Sequence, residues 1–346
     1  MHPTLSRSIG SLTAAIGILC ATAATAHAQT LYAQRTHVFR AHANVGRQVA
    51  FSPDSQILAT SSADHTVKLW RVSNNTLIRT LTHPEGVTSI AFSADGQSLV
   101  SGSYDHNVTI WRVRDGALLR TMKGHEGVVW SVGFSPDGQR IVSGGEDKTV
   151  KVWRTADGAL LKTLRGHALN VWHVAFSPDG TLIASGSFDK TIKIWRSDSG
   201  ALLRTLSGSK EAVVGIAFSP NGQLLASGGD DSSIRIWRVK DGALLRTIET
   251  PNHVYSVAFS PGGQWLASGG RERGALGTLW KQIAGPSSTP DPTVRLWRVR
   301  DGALMQELAG HADEVMSVTF SGDGKWLASS SDDHTIALWR LTVRSR

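Results

Sequence analysis

A serine or threonine, a histidine and an aspartate recur together five times along this chain. Those are the side chains of a hydrolytic relay: a hydroxyl to attack, an imidazole to take its proton and a carboxylate to orient the ring. The sets are His42, Thr60 and Asp64; His83, Ser101 and Asp105; His125, Ser143 and Asp147; His167, Ser185 and Asp189; and His311, Ser329 and Asp333. Each precedes a tryptophan (Trp70, Trp111, Trp153, Trp195 or Trp339), with the histidine 28, the hydroxyl 10 and the aspartate 6 residues before it. Five identical hydrolytic centres in one chain would be an odd duplication. A nucleophile also needs an accessible position and an oxyanion pocket, and no convergent set of unlike catalytic groups accompanies these repeats.

The elements that carry the sets explain the spacing better. The tryptophans belong to a longer series, Trp70, Trp111, Trp153, Trp195, Trp237, Trp297 and Trp339, at intervals of 41, 42, 42, 42, 60 and 42 residues. A period of about 40 to 45 residues with Gly-His near its start and an aliphatic-Trp pair near its end is the sequence form of a four-stranded propeller blade. Within residues 166–195, VWHVAF reads as an inner strand, SPDG as a turn, LIASGS as a second strand and TIKIW as a third. The period is two throughout, with no apolar stripe of helical spacing.

On these motifs the chain resembles the WD40-repeat β-propellers from about residue 30 to residue 343. The resemblance implies an all-β, seven-bladed propeller of four-stranded antiparallel blades. It also implies that each quartet of His, Ser or Thr, Asp and Trp is a hydrogen-bonded tetrad inside a blade. Buried networks of this kind specify a core when every member is satisfied. Two repeats depart from the pattern: Ser209 stands where the fifth histidine belongs, and Glu249-Thr250 replaces the sixth Gly-His. Where the family usually has Asp after the tryptophan, this chain has Arg71, Arg112, Arg154, Arg196, Arg238, Arg298 and Arg340. Several of these arginines are expected to pair with turn aspartates.

Residues 1–28 read as a secretory signal peptide: Arg7 supplies a positive start, residues 9–24 are apolar or small, and Ala26-His27-Ala28 is an A-x-A cleavage site. Cleavage is expected before Gln29, giving an exported, periplasmic or secreted chain with no membrane span. The apolar run is shorter than the roughly 20 residues that cross a bilayer. A lipoprotein reading of Cys20 is disfavoured because Leu19 is not small. Cys20 is the only cysteine, so residues 29–346 hold no thiol nucleophile, disulfide or thiolate metal site. These residues form one propeller, because a blade cannot bury both faces of its sheet until neighbours stack on it. The strand-like LYAQRTHVF, residues 31–39, is spare at the start, and the last repeat lacks an outer strand. Pairing the two would close the ring and remove its open edges. In the sixth repeat, residues 271–290 are a Gly-, Ser- and Pro-punctuated insertion containing Trp280, on the same face of the disc as the Gly-His loops.

No metal or cofactor is expected. Asp230-Asp231 and Asp332-Asp333 lack a calcium-loop pattern, and no phosphate-binding glycine motif is present. Removing Arg7 from a net charge of +8 leaves +7, spread around the ring and not gathered in a groove, which argues against a nucleic-acid partner. Positions that differ between repeats are the informative ones. Four residues before each inner-strand phenylalanine stand Arg47, Thr88, Trp130, Trp172, Val214, Tyr255 and Met316. Just before each turn aspartate stand Ala63, Tyr104, Glu146, Phe188, Asp230, Pro290 and Asp332. In WD40 proteins these columns commonly face the central opening and contact partners. The expected partner surface is Tyr104, Trp130, Trp172 and Phe188, bordered by Glu146 and Asp230, with Arg47, Tyr255 and Met316 completing the rim; aromatic anchors of this kind dominate interfaces. The plainer alternative has Trp130 and Trp172 packed between blades or lining a filled channel. Trp265 and Trp326, at second-strand starts, read as packing. The expectation is a monomeric, non-enzymatic scaffold for a protein or peptide. The alternatives are a binder of glycans or anionic envelope polymers and, with least support, a propeller hydrolase or lyase.

Overall fold

The computed structural model describes residues 29–271 and 294–345. The expected signal segment, Pro290 and Trp280 lie outside the described residues. Among the described residues twenty-eight strands, β1 to β28 in chain order, form seven four-stranded antiparallel sheets. The fourth blade shows the plan, running outward from β14 (Val171–Phe176) through β15 (Leu182–Ser187) and β16 (Thr191–Arg196) to β17 (Leu202–Ser207). The strand boundaries follow from turn chemistry. Ser177 Oγ accepts from Leu182 N at 2.9 Å and donates to Asp179, while Gly180 supplies the left-handed φ of 70° that the turn requires.

The seventh sheet has the order β1-β28-β27-β26, so β1 (Gln29–Arg40) adds to β28 (Thr335–Ser345), the third strand of the last blade. Their pairing runs from Gln29 opposite Ser345 to Arg40 opposite Thr335 with one bulge near Thr36. The ring is thereby closed by strands from the two ends of the chain, as the spare-strand argument requires.

The core lies between blades. Val142, Val150, Val152 and Leu164 of the third blade pack on Val171, Val174, Ile183 and Trp195 of the fourth, and the other six interfaces repeat the arrangement. Close approach is secured by glycine. A Cβ on Gly144 would stand 2.7 Å from Val171 Cγ1 of the next blade. Trp265 is buried in such an interface, and Trp326 packs against another with the Arg340 guanidinium 5.1 Å from its ring centre. The strand β23 (Trp265–Arg271) includes Arg271, which the sequence assigned to the insertion.

Candidate partner-binding site

The recurrent quartets are closed to substrate. In the fourth blade Trp195 Nε1 donates to Ser185 Oγ at 2.9 Å, Ser185 Oγ meets His167 Nε2 at 2.8 Å, and His167 Nδ1 meets Asp189 Oδ2 at 2.7 Å. Asp189 also accepts from the backbone of Ala168 and Thr191 and from the Thr191 hydroxyl. Burial would raise its pKa, yet the bonds from His167, Thr191 and Ala168 hold the carboxyl well below its usual range. Thr60, Ser143, Ser185 and Ser329 are all 0% exposed, so no substrate reaches these hydroxyls.

The second blade departs from the expected network, and the fifth, whose histidine the sequence already lacks, is completed by another side chain. His83 bonds Ser101 at 3.2 Å and Trp111 donates to Ser101 at 2.9 Å, but Asp105 accepts from Ser103 and from Asn107 N instead of from His83. The cause is Pro84. In the intact sets the residue after the histidine donates its backbone N–H to the aspartate, as Ala43, Glu126, Ala168 and Ala312 do, and proline has none. Burial lowers the His83 pKa to about 4, with Asp105 opposing only in part. In the fifth blade the missing histidine is replaced by a side chain from a strand: Arg235 Nη1 reaches Asp231 Oδ2 at 2.8 Å and Ser209 Oγ at 3.4 Å.

The variable column is aimed by backbone geometry. Each inner strand slips register once against its neighbour, and the skipped residues are Arg47, Thr88, Trp130, Trp172, Val214, Tyr255 and Met316. A bulge leaves its extra residue unpaired and re-aims the side chain. Here it turns all seven toward the axis, where they line one cleft at the loop-bearing end of the central opening, about 600 Å³ when the solvent space at its mouth is included. The next residue on each strand points to the neighbouring blade. Ile90 N donates to Gln48, Val132 N to Ser89, Val174 N to Ser131, Val318 N to Ser256 and Val49 N to Ser317. His173 and Gly215 occupy this column in the fourth and fifth blades, and His173 lines the cavity.

The opening has two unlike halves. On one, Tyr104 meets Trp130 edge-on at 5.7 Å, Trp130 stacks on Trp172 at 4.3 Å and 20°, and Phe188 tilts onto Trp172 at 5.0 Å. These half-buried rings form one ladder across three blades, set at the opening and not sealed between sheets. Glu146 Oε2 accepts from Val128 N at 3.1 Å, two residues before Trp130. On the other half are Asp230, Tyr255, Met316 and Asp332, and Arg47 joins the halves by donating to Tyr104 Oη at 2.9 Å. Burial raises the Asp332 pKa against the pull of Arg47, lowers that of His173 to about 4, and pushes the Tyr255 phenol up.

Buried polar atoms without a hydrogen-bond partner gather here, one of them, Asp230 Oδ1, lying 3.3 Å from His253 Nδ1. Arg47 Nε, Trp130 Nε1, His173 Nδ1, Asp230 Oδ1 and Asp332 Oδ1 are five of the eight such atoms among the described residues. Of the nine residues singled out from the sequence, Arg47, Trp130, Trp172, Tyr255 and Met316 line the cavity, and Tyr104 and Phe188 touch its tryptophans. His173 and Arg271 were missed. His173 was detectable as the one titratable side chain in its column, whereas nothing in the sequence separates Arg271 from the insertion it precedes. Among the described residues no three His, Asp or Glu side chains converge as a metal centre.

The chain belongs to the WD40 family, described as WD domain, G-beta repeat, which matches residues 33–71, 75–112, 116–154, 158–196, 200–238, 242–298 and 302–340. It is 44% identical over 61 residues to Protein Mut11 of Chlamydomonas reinhardtii, a match covering 18% of this chain and 15% of that protein. It is 43% identical over 56 residues to Nuclear distribution protein PAC1 of Tuber melanosporum, covering 16% and 12% respectively. It is 37% identical over 57 residues to the Target of rapamycin complex subunit wat1 of Schizosaccharomyces pombe, covering 16% and 18%. Each match thus spans less than a fifth of either chain.

Proposed function

We propose that this propeller is a non-enzymatic scaffold that binds a protein or peptide segment at the bipartite opening formed by its seven bulge residues. The observation that carries the reading is the gathering of unpartnered buried polar atoms beside a continuous aromatic ladder. Such atoms are costly unless something satisfies them. A peptide brings both amide donors and carbonyl acceptors, matching the donors Arg47 Nε and Trp130 Nε1 and the acceptors Asp230 Oδ1 and Asp332 Oδ1. The ladder favours peptide over glycan, since sugars stack on open ring faces and here the faces of Trp130 and Trp172 are spent on each other. The relatives support a role in assemblies, one of them being named as a complex subunit.

We also propose export, with cleavage before Gln29, the first residue of the ring-closing strand. Fractionation with N-terminal sequencing tests this, and a cytosolic chain retaining Met1 contradicts it. The partner is tested by capture from envelope extract on immobilised residues 29–346. Loss of capture after protease digestion of the extract supports a protein partner, whereas capture that survives digestion points to a polymer.

A further inference from the structure

Repetition lets one blade interface serve as the measure of another. Each inner strand ends in a turn on the face opposite the Gly-His loops, and between the third and fourth blades that face is filled by a side chain. Arg140, the first residue of β11 (Arg140–Gly145), crosses to the fourth blade. Its Nη1 donates to Ser197 O and Ser197 Oγ, each at 3.2 Å, and its Nη2 donates to Gly180 O at 3.4 Å. Its Cζ stands 5.4 Å from the centre of the Phe176 ring. Bonds from Ser135 and Gln139 hold the nearby Asp137 carboxyl below its usual range, and the Arg140 charge adds to the pull.

One period earlier, between the second and third blades, the same positions line a cleft of about 550 Å³, the solvent space at its mouth included. Phe134 stands for Phe176, Gly138 for Gly180 and Thr155 for Ser197, so a ring, a carbonyl and a hydroxyl are again in place to receive a guanidinium. The chain supplies none, because β7 (Ser98–Ser103) begins with a serine where β11 has its arginine. Thr155 Oγ1 is buried without a hydrogen-bond partner, whereas its counterpart Ser197 Oγ accepts from Arg140. Asp95 and Asp137 also line the cleft, and the contacts that lower the Asp95 pKa come from Ser93, Gln97 and its own backbone, with no cation among them. A third cleft of this kind, between the fifth and sixth blades, has Asn221 and Gly262 in place of the two acids and Leu224 in place of Ser98. Only the cleft with the acids offers countercharge to a cation.

We propose that the cleft between the second and third blades binds a guanidinium group in the way that the fourth blade binds Arg140. Phe134 takes the face of the cation, Thr155 and Gly138 accept from its edge, and Asp95 and Asp137 supply the opposite charge. Free arginine would bring its own carboxylate toward these acids, so the ligand is a decarboxylated guanidinium compound or an arginine within a protein chain. The site lies away from the central opening and is independent of what binds there.

The probes are agmatine for a free ligand and acetyl-arginine-amide for a chain-borne one, titrated at low salt against residues 29–346 and read by NMR at the Thr155 methyl group. Acetyl-citrulline-amide is the uncharged isostere and is expected to leave that signal unmoved. Ser98→Arg restores the missing side chain and is expected to abolish the response and raise the melting temperature. Asp95→Asn is expected to weaken both probes about tenfold. Asparagine holds this turn in the fifth blade, where Asn221 Oδ1 accepts from Ser219 Oγ at 2.7 Å and from Gln223 N at 3.1 Å, so the variant tests charge and not folding. Arg140→Ser copies the cleft at the next interface, and its lowered melting temperature is expected to recover in part with agmatine and not with the citrulline probe. Tighter binding of agmatine identifies a free ligand as the source, and tighter binding of acetyl-arginine-amide a protein chain. A Thr155 signal that ignores both probes, responds equally to arginine and citrulline, or responds unchanged in Ser98→Arg overturns the site.

Discussion

Pro84 shows how one missing backbone N–H reorganises a buried network. Without it Asp105 turns to Ser103 and Asn107, and His83 keeps only its hydroxyl contact. Replacing Asp147 or Asp189 by alanine strips several buried donors of their acceptor at once and is expected to cost about 2–4 kcal/mol. Asp105→Ala is expected to cost about half as much, since its histidine is already released; denaturant titration of the three variants measures the difference. The histidines also set an acid limit. Burial holds His83 and His173 neutral down to about pH 4, whereas in the unfolded chain each titrates near about 6.5. Between these values the unfolded chain binds the extra protons, so stability is full above about pH 6.5 and falls as pH drops toward 4. Below about pH 4 the depressed carboxylates of Asp147, Asp189 and Asp333 add their own loss. The midpoint of urea unfolding is expected to be lower at pH 5 than at pH 7, with a smaller drop in His83→Gln; an unchanged midpoint contradicts the assignment. Pro84 was visible in the sequence, but the tetrad pattern scores side chains, and the group lost here belongs to the backbone.

At the scale of the strand, the β-bulge decides the site. Simple alternation along β14 would give Trp172 the sheet position opposite Val171, yet the register passes from Val171 to His173 and leaves Trp172 to the axis. The skipped residues are Arg, Thr, Trp, Trp, Val, Tyr and Met, types with no shared conformational preference. The bulge therefore has no residue signature, and the column was found only by aligning the repeats. Gly215 shows the packing that a bulge imposes on the neighbouring blade, since a Cβ there would lie 2.7 Å from Tyr255 O. Gly215→Ala is expected to lower stability by about 1–3 kcal/mol and to displace Tyr255 in the cavity, because the obstacle is backbone. Gly133→Ala is the control: its Cβ would meet Val142 Cγ1 at an ordinary 3.7 Å. Equal melts for the two variants would contradict the close approach.

For the whole molecule, ring closure makes every blade interface a shared core, and the duplicated period was enough to read that from the sequence. Strand order, the closing strand and the complete tetrads of the first, third and fourth blades were legible because each rests on a residue type repeated at fixed spacing. The Arg235 replacement was not, because it depends on a long side chain bending back to Asp231 from four residues along the strand that follows. The arginines after the tryptophans are largely neutralised, with Arg112, Arg154, Arg196, Arg238 and Arg298 each paired with a turn aspartate. These pairs are exposed and add little stability, but they remove the apparent basic ring as a partner surface. What remains distinctive is the opening, set against a perimeter of exposed leucines such as Leu160 and Leu202, 45% and 46% accessible. The most direct test compares capture of the envelope partner by two double variants that melt like the parent chain. Trp130→Ala with Trp172→Ala is expected to lose capture, and Leu160→Ser with Leu202→Ser to retain it. Capture kept by the tryptophan variant and lost by the leucine variant would place the partner on the outer wall and contradict the account.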